Sequence, residues 1–193
     1  YSPTPVVTKA LHDQIMIEII NPTIKAMAAE GAPYKGVLFC GLMITETGPR
    51  VLEYNVRFGD PECQVLMARF DSDVLTALLA CATGTLKKTK IKWKDETALV
   101  VVMAANGYPG KYAKGTPING FANAAAIKGV TVFHAGTKAD GDQVVANGGR
   151  VLGVTATGKT VKAAQTLAYK GVDAIEWPQG FCRRDIGWRA LKR

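Results

Sequence analysis

Histidine and cysteine are scarce and scattered in this 193-residue chain. The two histidines, His12 and His134, and the four cysteines, Cys40, Cys63, Cys81 and Cys182, stand far apart, with no Cys-x-x-Cys pair. That spacing excludes the familiar zinc patterns and does not suggest a disulfide framework, so reduced thiols in a cytoplasmic protein are expected. Cys63 has no histidine neighbour in sequence and reads as a buried, inert thiol. Long apolar runs are lacking too. The longest, residues 98–105, falls far short of the ~18 residues a membrane span needs, which predicts a soluble protein with no membrane partner. No internal repeat or low-complexity tract stands out. With nearly half its residues apolar, the chain can still bury a core, in one or two domains.

The net charge of +8 is unevenly spread. Residues 1–86 carry six Lys/Arg against nine Asp/Glu, whereas residues 87–193 carry eighteen against seven. The change comes at residues 87–94, Lys-Lys-Thr-Lys-Ile-Lys-Trp-Lys, just after Gly84 ends an apolar stretch. A domain boundary is expected near residues 84–95, dividing the chain into residues 1–88 and 89–193. A basic half with an embedded tryptophan fits a nucleic-acid surface. No reader motif accompanies it, however, and alternating lysines equally fit a solvated edge strand, so no nucleic-acid partner is expected. A positive wall facing phosphates, or an acidic partner domain, suits the charge better.

The most informative stretch is residues 51–62, Val-Leu-Glu-Tyr-Asn-Val-Arg-Phe-Gly-Asp-Pro-Glu. As a strand, it would put Glu53, Asn55 and Arg57 on one face, roughly 6.6 to 6.8 Å apart, and Leu52, Tyr54 and Val56 on the other. Mg²⁺ binds hard oxygens, keeps several waters and takes one or two carboxylate-type ligands besides phosphates, so Glu53 and Asn55 would suffice. Arg57 could clamp a phosphoryl oxygen. Beyond it, Gly59 allows a sharp turn, Asp60 is a favoured N-cap and Pro61 a favoured first helical residue. That helix N-terminus could face an anion, with Asp60 and Glu62 offsetting part of its pull. The plainer alternative is the wet face of a half-buried hairpin strand.

Residues 52–64 resemble the metal-binding segment of the glycinamide ribonucleotide synthetase family, within the ATP-grasp superfamily. Residues 1–5 (Tyr-Ser-Pro-Thr-Pro), 34–38 (Tyr-Lys-Gly-Val-Leu), 107–110 (Gly-Tyr-Pro-Gly), 133–137 (Phe-His-Ala-Gly-Thr) and 148–152 (Gly-Gly-Arg-Val-Leu) resemble segments of the same family in the same order. The resemblance implies an α+β fold: the C-terminal half of an ATP-grasp domain, with antiparallel strands plus helices, then a small β-rich C-terminal domain with a terminal helix. It also implies a C-terminal portion whose N-terminal half lies elsewhere, in keeping with an opening that has neither Met nor signal peptide.

The same resemblance implies an ATP-dependent ligase joining glycine to 5-phosphoribosylamine in purine biosynthesis, with this portion alone inactive. Glu53 and Asn55 would hold Mg²⁺ or Mn²⁺ between ATP phosphates, and Arg57 would stabilise the transferring phosphoryl group. Gly59, Asp60 and Pro61 would shape the substrate loop, and the turn at residues 107–110 would wall the cleft. Many ATP-grasp enzymes carry a further acidic ligand on the preceding strand, where this chain has Cys40 and Gly41.

Two other functional readings compete. One is a non-catalytic β-rich binding module joined to helices. The other is a phosphate loop, because Gly153, Gly158, Lys159 and Thr160 fit the pattern G-x-x-x-x-G-K-T between an expected strand and helix. Only 33 residues follow Thr160, however, and no buried strand ending in Asp follows to hold magnesium. A β-to-α turn with Thr157 or Thr160 as helix cap is the simpler reading. His134 reads as a satisfied strand histidine, and Ser2 has no evident base.

The expected elements are two helices over residues 5–29, separated at Asn21-Pro22, and a hairpin of residues 37–45 and 51–57. Helices follow at 61–68 and 73–83, strands at 98–105, 131–134, 143–146 and 150–155, and a last helix at 159–170.

Overall fold

The computed structural model describes residues 1–192. Chain contacts divide them into two units. One comprises Thr4–Asp60 and Phe70–Trp93; the other comprises Tyr1–Pro3, Pro61–Arg69 and residues 94–192. The fold is α+β, with antiparallel sheets.

In the first unit, Thr8 starts the helical run by accepting a hydrogen bond from the Leu11 N–H, 3.2 Å away. Helix α1 (Lys9–Ile15) continues through a π-helical stretch (Met16–Ile20) into α2 (Asn21–Ala29). The break expected at Asn21-Pro22 is therefore a widened turn inside one helical run. Pro22 has no N–H to give and its ring would crowd the carbonyl four residues back. The wider π turn, in which the Asn21 N–H reaches Met16 O, absorbs that mismatch.

Strands β1 (Phe39–Thr45) and β2 (Gly48–Asn55) pair antiparallel, with Phe39 opposite Asn55 and Gly41 opposite Glu53. The register slips between Gly41 and Leu42, which faces Val51, so Leu52 is the extra residue of a bulge. The expected strand to Arg57 ends at Asn55, because β1 begins at Phe39 and offers nothing further to pair with. Residues 56–57 form a bend. After α3 (Glu62–Arg69), which belongs to the other unit, α4 (Val74–Thr83) opens on Asp73, whose carboxylate accepts from the Thr76 N–H at 2.8 Å. It closes on Gly84 in the left-handed region, φ +74°. The lysine-rich stretch begins in a short 3₁₀ turn, Leu86–Lys88, and continues as irregular chain rather than as an edge strand. Trp93 packs edge-on against Phe70, 5.0 Å between ring centres, and forms an isolated bridge with it.

The second unit holds β3 (Thr97–Ala105), β4 (Thr116–Ile118), α5 (Phe121–Ala125), β5 (Val130–His134), β6 (Thr137–Asp140), β7 (Gln143–Ala146), β8 (Arg150–Gly158), α6 (Val161–Asp173), β9 (Gly180–Phe181) and α7 (Trp188–Leu191). Its main sheet has the order β5-β8-β3-β9, and β4-β7-β6 form a smaller one. Alternation along β3 sends Leu99, Val101 and Met103 into one core with Ala164, Ala168 and Val172 of α6. The intervening Ala98 and Val100 pack with Val65 of α3 on the opposite face. Burial on both faces explains why residues 98–105 form an unbroken apolar run.

Candidate functional site

The hairpin brings two of the three expected side chains together. Glu53 and Asn55 share a face of β2, and the Asn55 Nδ2 donates to Glu53 Oε1 at 3.2 Å. Glu53 is exposed and Asn55 half-buried. Across the ladder Gly41 leaves room for Glu53: a Cβ at position 41 would stand 2.9 Å from Glu53 Cγ. An acidic residue there would compete with Glu53 for one volume, a physical reason for a glycine at this place in the ladder.

The donor set suits a hard cation. Turning the Asn55 amide over would bring its oxygen beside the Glu53 carboxylate in place of the Nδ2 donor. Among the described residues no group of three or more His, Cys, Asp or Glu could enclose a metal. Two oxygens with open coordination positions match an ion that retains waters and takes phosphate oxygens.

Arg57 is positioned differently from the sequence expectation. It lies in the bend past β2, and its Nη1 donates to Phe58 O at 2.7 Å. That bond uses one of five guanidinium donors, and the bend rather than the pleat aims the group. Gly59 is buried and Asp60 exposed. Pro61 precedes α3, which starts at Glu62 rather than at the proline.

Pro61 also borders a cavity of about 580 Å³ within the second unit, walled by Val65, Val100, Val102, Tyr108 and Pro109. The turn at residues 107–110 thus lines a cleft, with a cis Tyr108-Pro109 peptide. Arg150 and Arg183 also contribute to the wall. Arg183 is held by Asp185 through two bonds of 2.9 and 2.7 Å, which keep the Asp185 carboxyl below the usual carboxylate range. Such walls exclude water and hold a charge at a fixed place. Arg150 lies in the family-like segment 148–152, but neither arginine stood out as a wall residue, because that half is rich in cations throughout.

Other candidates resolve as structural groups. Residues 153–157 are strand, paired to β3 on one side and β5 on the other from Gly153 to Thr155, so these amides serve the sheet instead of cradling phosphate. Gly158 lets α6 approach, since a Cβ there would lie 2.7 Å from the Ala164 nitrogen. Thr160 caps α6 by accepting from the Ala163 N–H at 3.1 Å. His134 Nδ1 meets Thr137 Oγ1 at 3.1 Å, and its ring stacks on Phe121. Ser2 Oγ accepts from Arg69 Nη1 at 2.8 Å. Cys63 is half-buried, and burial raises the thiol pKa of Cys40 and of Cys182.

Comparison with known proteins gives this geometry a context. The phosphoribosylglycinamide synthetase ATP-grasp (A) domain model matches residues 1–63, and the phosphoribosylglycinamide synthetase C domain model matches residues 98–189. The chain belongs to the phosphoribosylglycinamide synthetase family. Within that family, the phosphoribosylamine–glycine ligase of Mesorhizobium japonicum is 58% identical over the whole chain, which spans 45% of that protein's length. The chloroplastic phosphoribosylamine–glycine ligase of Arabidopsis thaliana is 54% identical, with 37% of its length covered. The crystal structure of phosphoribosylamine–glycine ligase from Thermotoga maritima superposes with a TM-score of 0.78 at 31% identity, covering 95% of this chain and 44% of that one. The chain thus spans less than half the length of these synthetase-family relatives. No helix among the described residues is long and apolar enough to cross a membrane.

Proposed function

We propose that this chain supplies the cation-binding hairpin and the C-terminal domain of a cytoplasmic phosphoribosylamine–glycine ligase, an ATP-dependent carbon–nitrogen ligase of purine biosynthesis. Residues 1–88 form the C-terminal part of its ATP-grasp domain and residues 89–193 the small β-rich domain. The observation that carries this reading is the pairing of Glu53 with Asn55 on one hairpin face, beside a glycine that keeps their space clear.

In the reaction, a glycine carboxylate oxygen attacks the γ-phosphorus of ATP, the bond to the ADP oxygen breaks, and glycyl phosphate forms. The amine of 5-phosphoribosylamine then attacks the acyl carbon, phosphate leaves with the bonding pair, and the amine gives up a proton. Two anions must meet in the first step, so positioning and charge neutralisation dominate. Glu53 and Asn55 would hold Mg²⁺ or Mn²⁺, which would supply charge neutralisation for the ATP phosphates. Arg57 faces the transferring phosphoryl group with donors not used by Phe58. Gly59, Asp60 and Pro61 shape the substrate loop beside them.

The relatives extend well beyond the aligned region, so activity needs the rest of the ligase. Residues 1–193 alone are expected to be inactive. Combined with the remaining segment of the Mesorhizobium japonicum protein, the chain should release ADP over many turnovers only when glycine and phosphoribosylamine are both supplied, because without the amine the glycyl phosphate is not consumed. ADP release independent of glycine contradicts the ligase reading, and no ADP release from a well-formed complex counts for the competing binding-module reading.

A further inference from the structure

The second unit has a polar cleft that the proposed function leaves unused. About 260 Å³ in volume, it opens between the last turn of α3 and strands β5 and β8, with Ala68, Lys94, Thr131, Thr155 and Thr157 in its wall. Thr131 is the ladder partner of Thr155, and Thr157 follows two residues on, so alternation puts the three threonines on one face of the sheet. That face is the one α3 covers, because Thr155 pairs with Val100, which packs against Val65. Thr155 is the anomaly. It is 1% exposed, yet its Oγ1 is buried with no hydrogen-bond partner among the described residues. A hydroxyl left so is costly and calls for a polar group in the cleft. One water would satisfy it, but a water needs only ~15 Å³ of such space, and the cleft has room for a polyatomic group.

Lys94 is pinned at the same cleft. Its N–H donates to Arg69 O at 2.8 Å, its carbonyl accepts from Arg69 Nη2 at 3.0 Å, and its Nζ donates to Ala68 O at 3.2 Å. The last bond offsets the negative end of α3 and leaves two ammonium donors. Arg69 also donates to Glu96 O and Ser2 Oγ, so these bonds of both cations end on uncharged oxygens. Capping α3 accounts for Lys94 but leaves the Thr155 hydroxyl unexplained. We propose that the cleft binds a phosphate group, with Lys94 Nζ supplying the charge and the Thr131, Thr155 and Thr157 hydroxyls donating to its oxygens. Phosphate offers at least three strong acceptor oxygens, against two in a carboxylate, and so suits four donor groups better. Inorganic phosphate and the phosphate of a sugar ester share that chemistry. The inference needs only the second unit and does not depend on the ligase reading.

The test titrates the full 193-residue chain with inorganic phosphate and, separately, with ribose 5-phosphate, at constant ionic strength, and follows amide NMR shifts. Saturable shifts are expected at Lys94 and over residues 129–131 and 155–157, with a Kd of about a millimolar or tighter. Lys94→Gln, at an exposed position, should weaken binding at least about tenfold with the fold intact. Thr155→Val should do the same, whereas Thr155→Ser, which keeps the hydroxyl, should bind like wild type. Denaturant midpoints separate a ligand site from a packing role. Phosphate should raise the midpoint of wild type more than that of Thr155→Val, since its general salting effect acts on both proteins alike. Tighter binding of ribose 5-phosphate would assign the cleft to a sugar ester, and equal or tighter binding of inorganic phosphate to the free ion; either supports the proposal. No saturable shifts, shifts confined to other surfaces, an equal response to acetate, or undiminished binding in both Lys94→Gln and Thr155→Val would overturn it.

Discussion

Gly41 lies directly opposite Glu53 in the β1–β2 ladder, so near that a methyl group on Gly41 would stand 2.9 Å from Glu53 Cγ. The glycine therefore sets where the carboxylate can rest. Gly41→Ala should rotate the Glu53 side chain away from Asn55 and reduce ligase turnover in the assembled enzyme by about a hundredfold, the scale of an ångström-sized misplacement. Circular dichroism should stay unchanged. Wild-type turnover in the alanine variant would show that Glu53 needs no such clearance.

Asp73 links α4 to acidity. Its bonds from the Thr76 hydroxyl and N–H hold the carboxyl below the usual carboxylate range. A folded-state pKa below the unfolded one means that the stabilisation is present above the unfolded value and is lost as pH falls through the folded one. Amide exchange at Thr76 should therefore quicken, relative to other helical amides, as pH drops through the acid range. Asp73→Asn keeps a good cap without the titration and should remove that dependence.

Gly120 enters α5 at φ +83°, and a Cβ there would stand 2.1 Å from the Ala174 carbonyl oxygen. That neighbour is backbone, tied by the reciprocal bonds between Asn119 and Glu176. Gly120→Ala combines a left-handed conformation with overpacking and should cost more than about 2 kcal/mol, read from denaturant midpoints. A loss below about 0.5 kcal/mol would contradict this account of the turn.

How much of this was legible in the residues depended on the type of signal. The run at residues 98–105 announced β3, and Asp73 and Gly84 announced both ends of α4, because burial and capping are local chemistry. Strand β4 went unseen since Pro117 argues against a strand; it is tolerated because β4 pairs only with β7, at the sheet edge. Strand β6, Thr-Lys-Ala-Asp, has no apolar alternation to detect. That Glu53 and Asn55 share a face followed from period two alone, whereas the end of β2 before Arg57 depends on where β1 starts, a partner's property.

The glycine-rich stretch at β8 invites a separate check. Lys159 is exposed, and the backbone before it is sheet. Lys159→Ala should leave nucleotide binding by the assembled enzyme unchanged, measured by calorimetry. A large loss with intact folding would revive the phosphate-loop reading.

The most direct measurement is Mn²⁺ binding in the presence of ATP, followed by electron paramagnetic resonance, for the assembled enzyme with and without Glu53→Gln. Removing the carboxylate charge should weaken Mn²⁺ binding by at least about tenfold and abolish magnesium-dependent turnover while the circular dichroism is preserved. Unaltered Mn²⁺ affinity together with undiminished turnover would show that the Glu53–Asn55 pair is not the cation site.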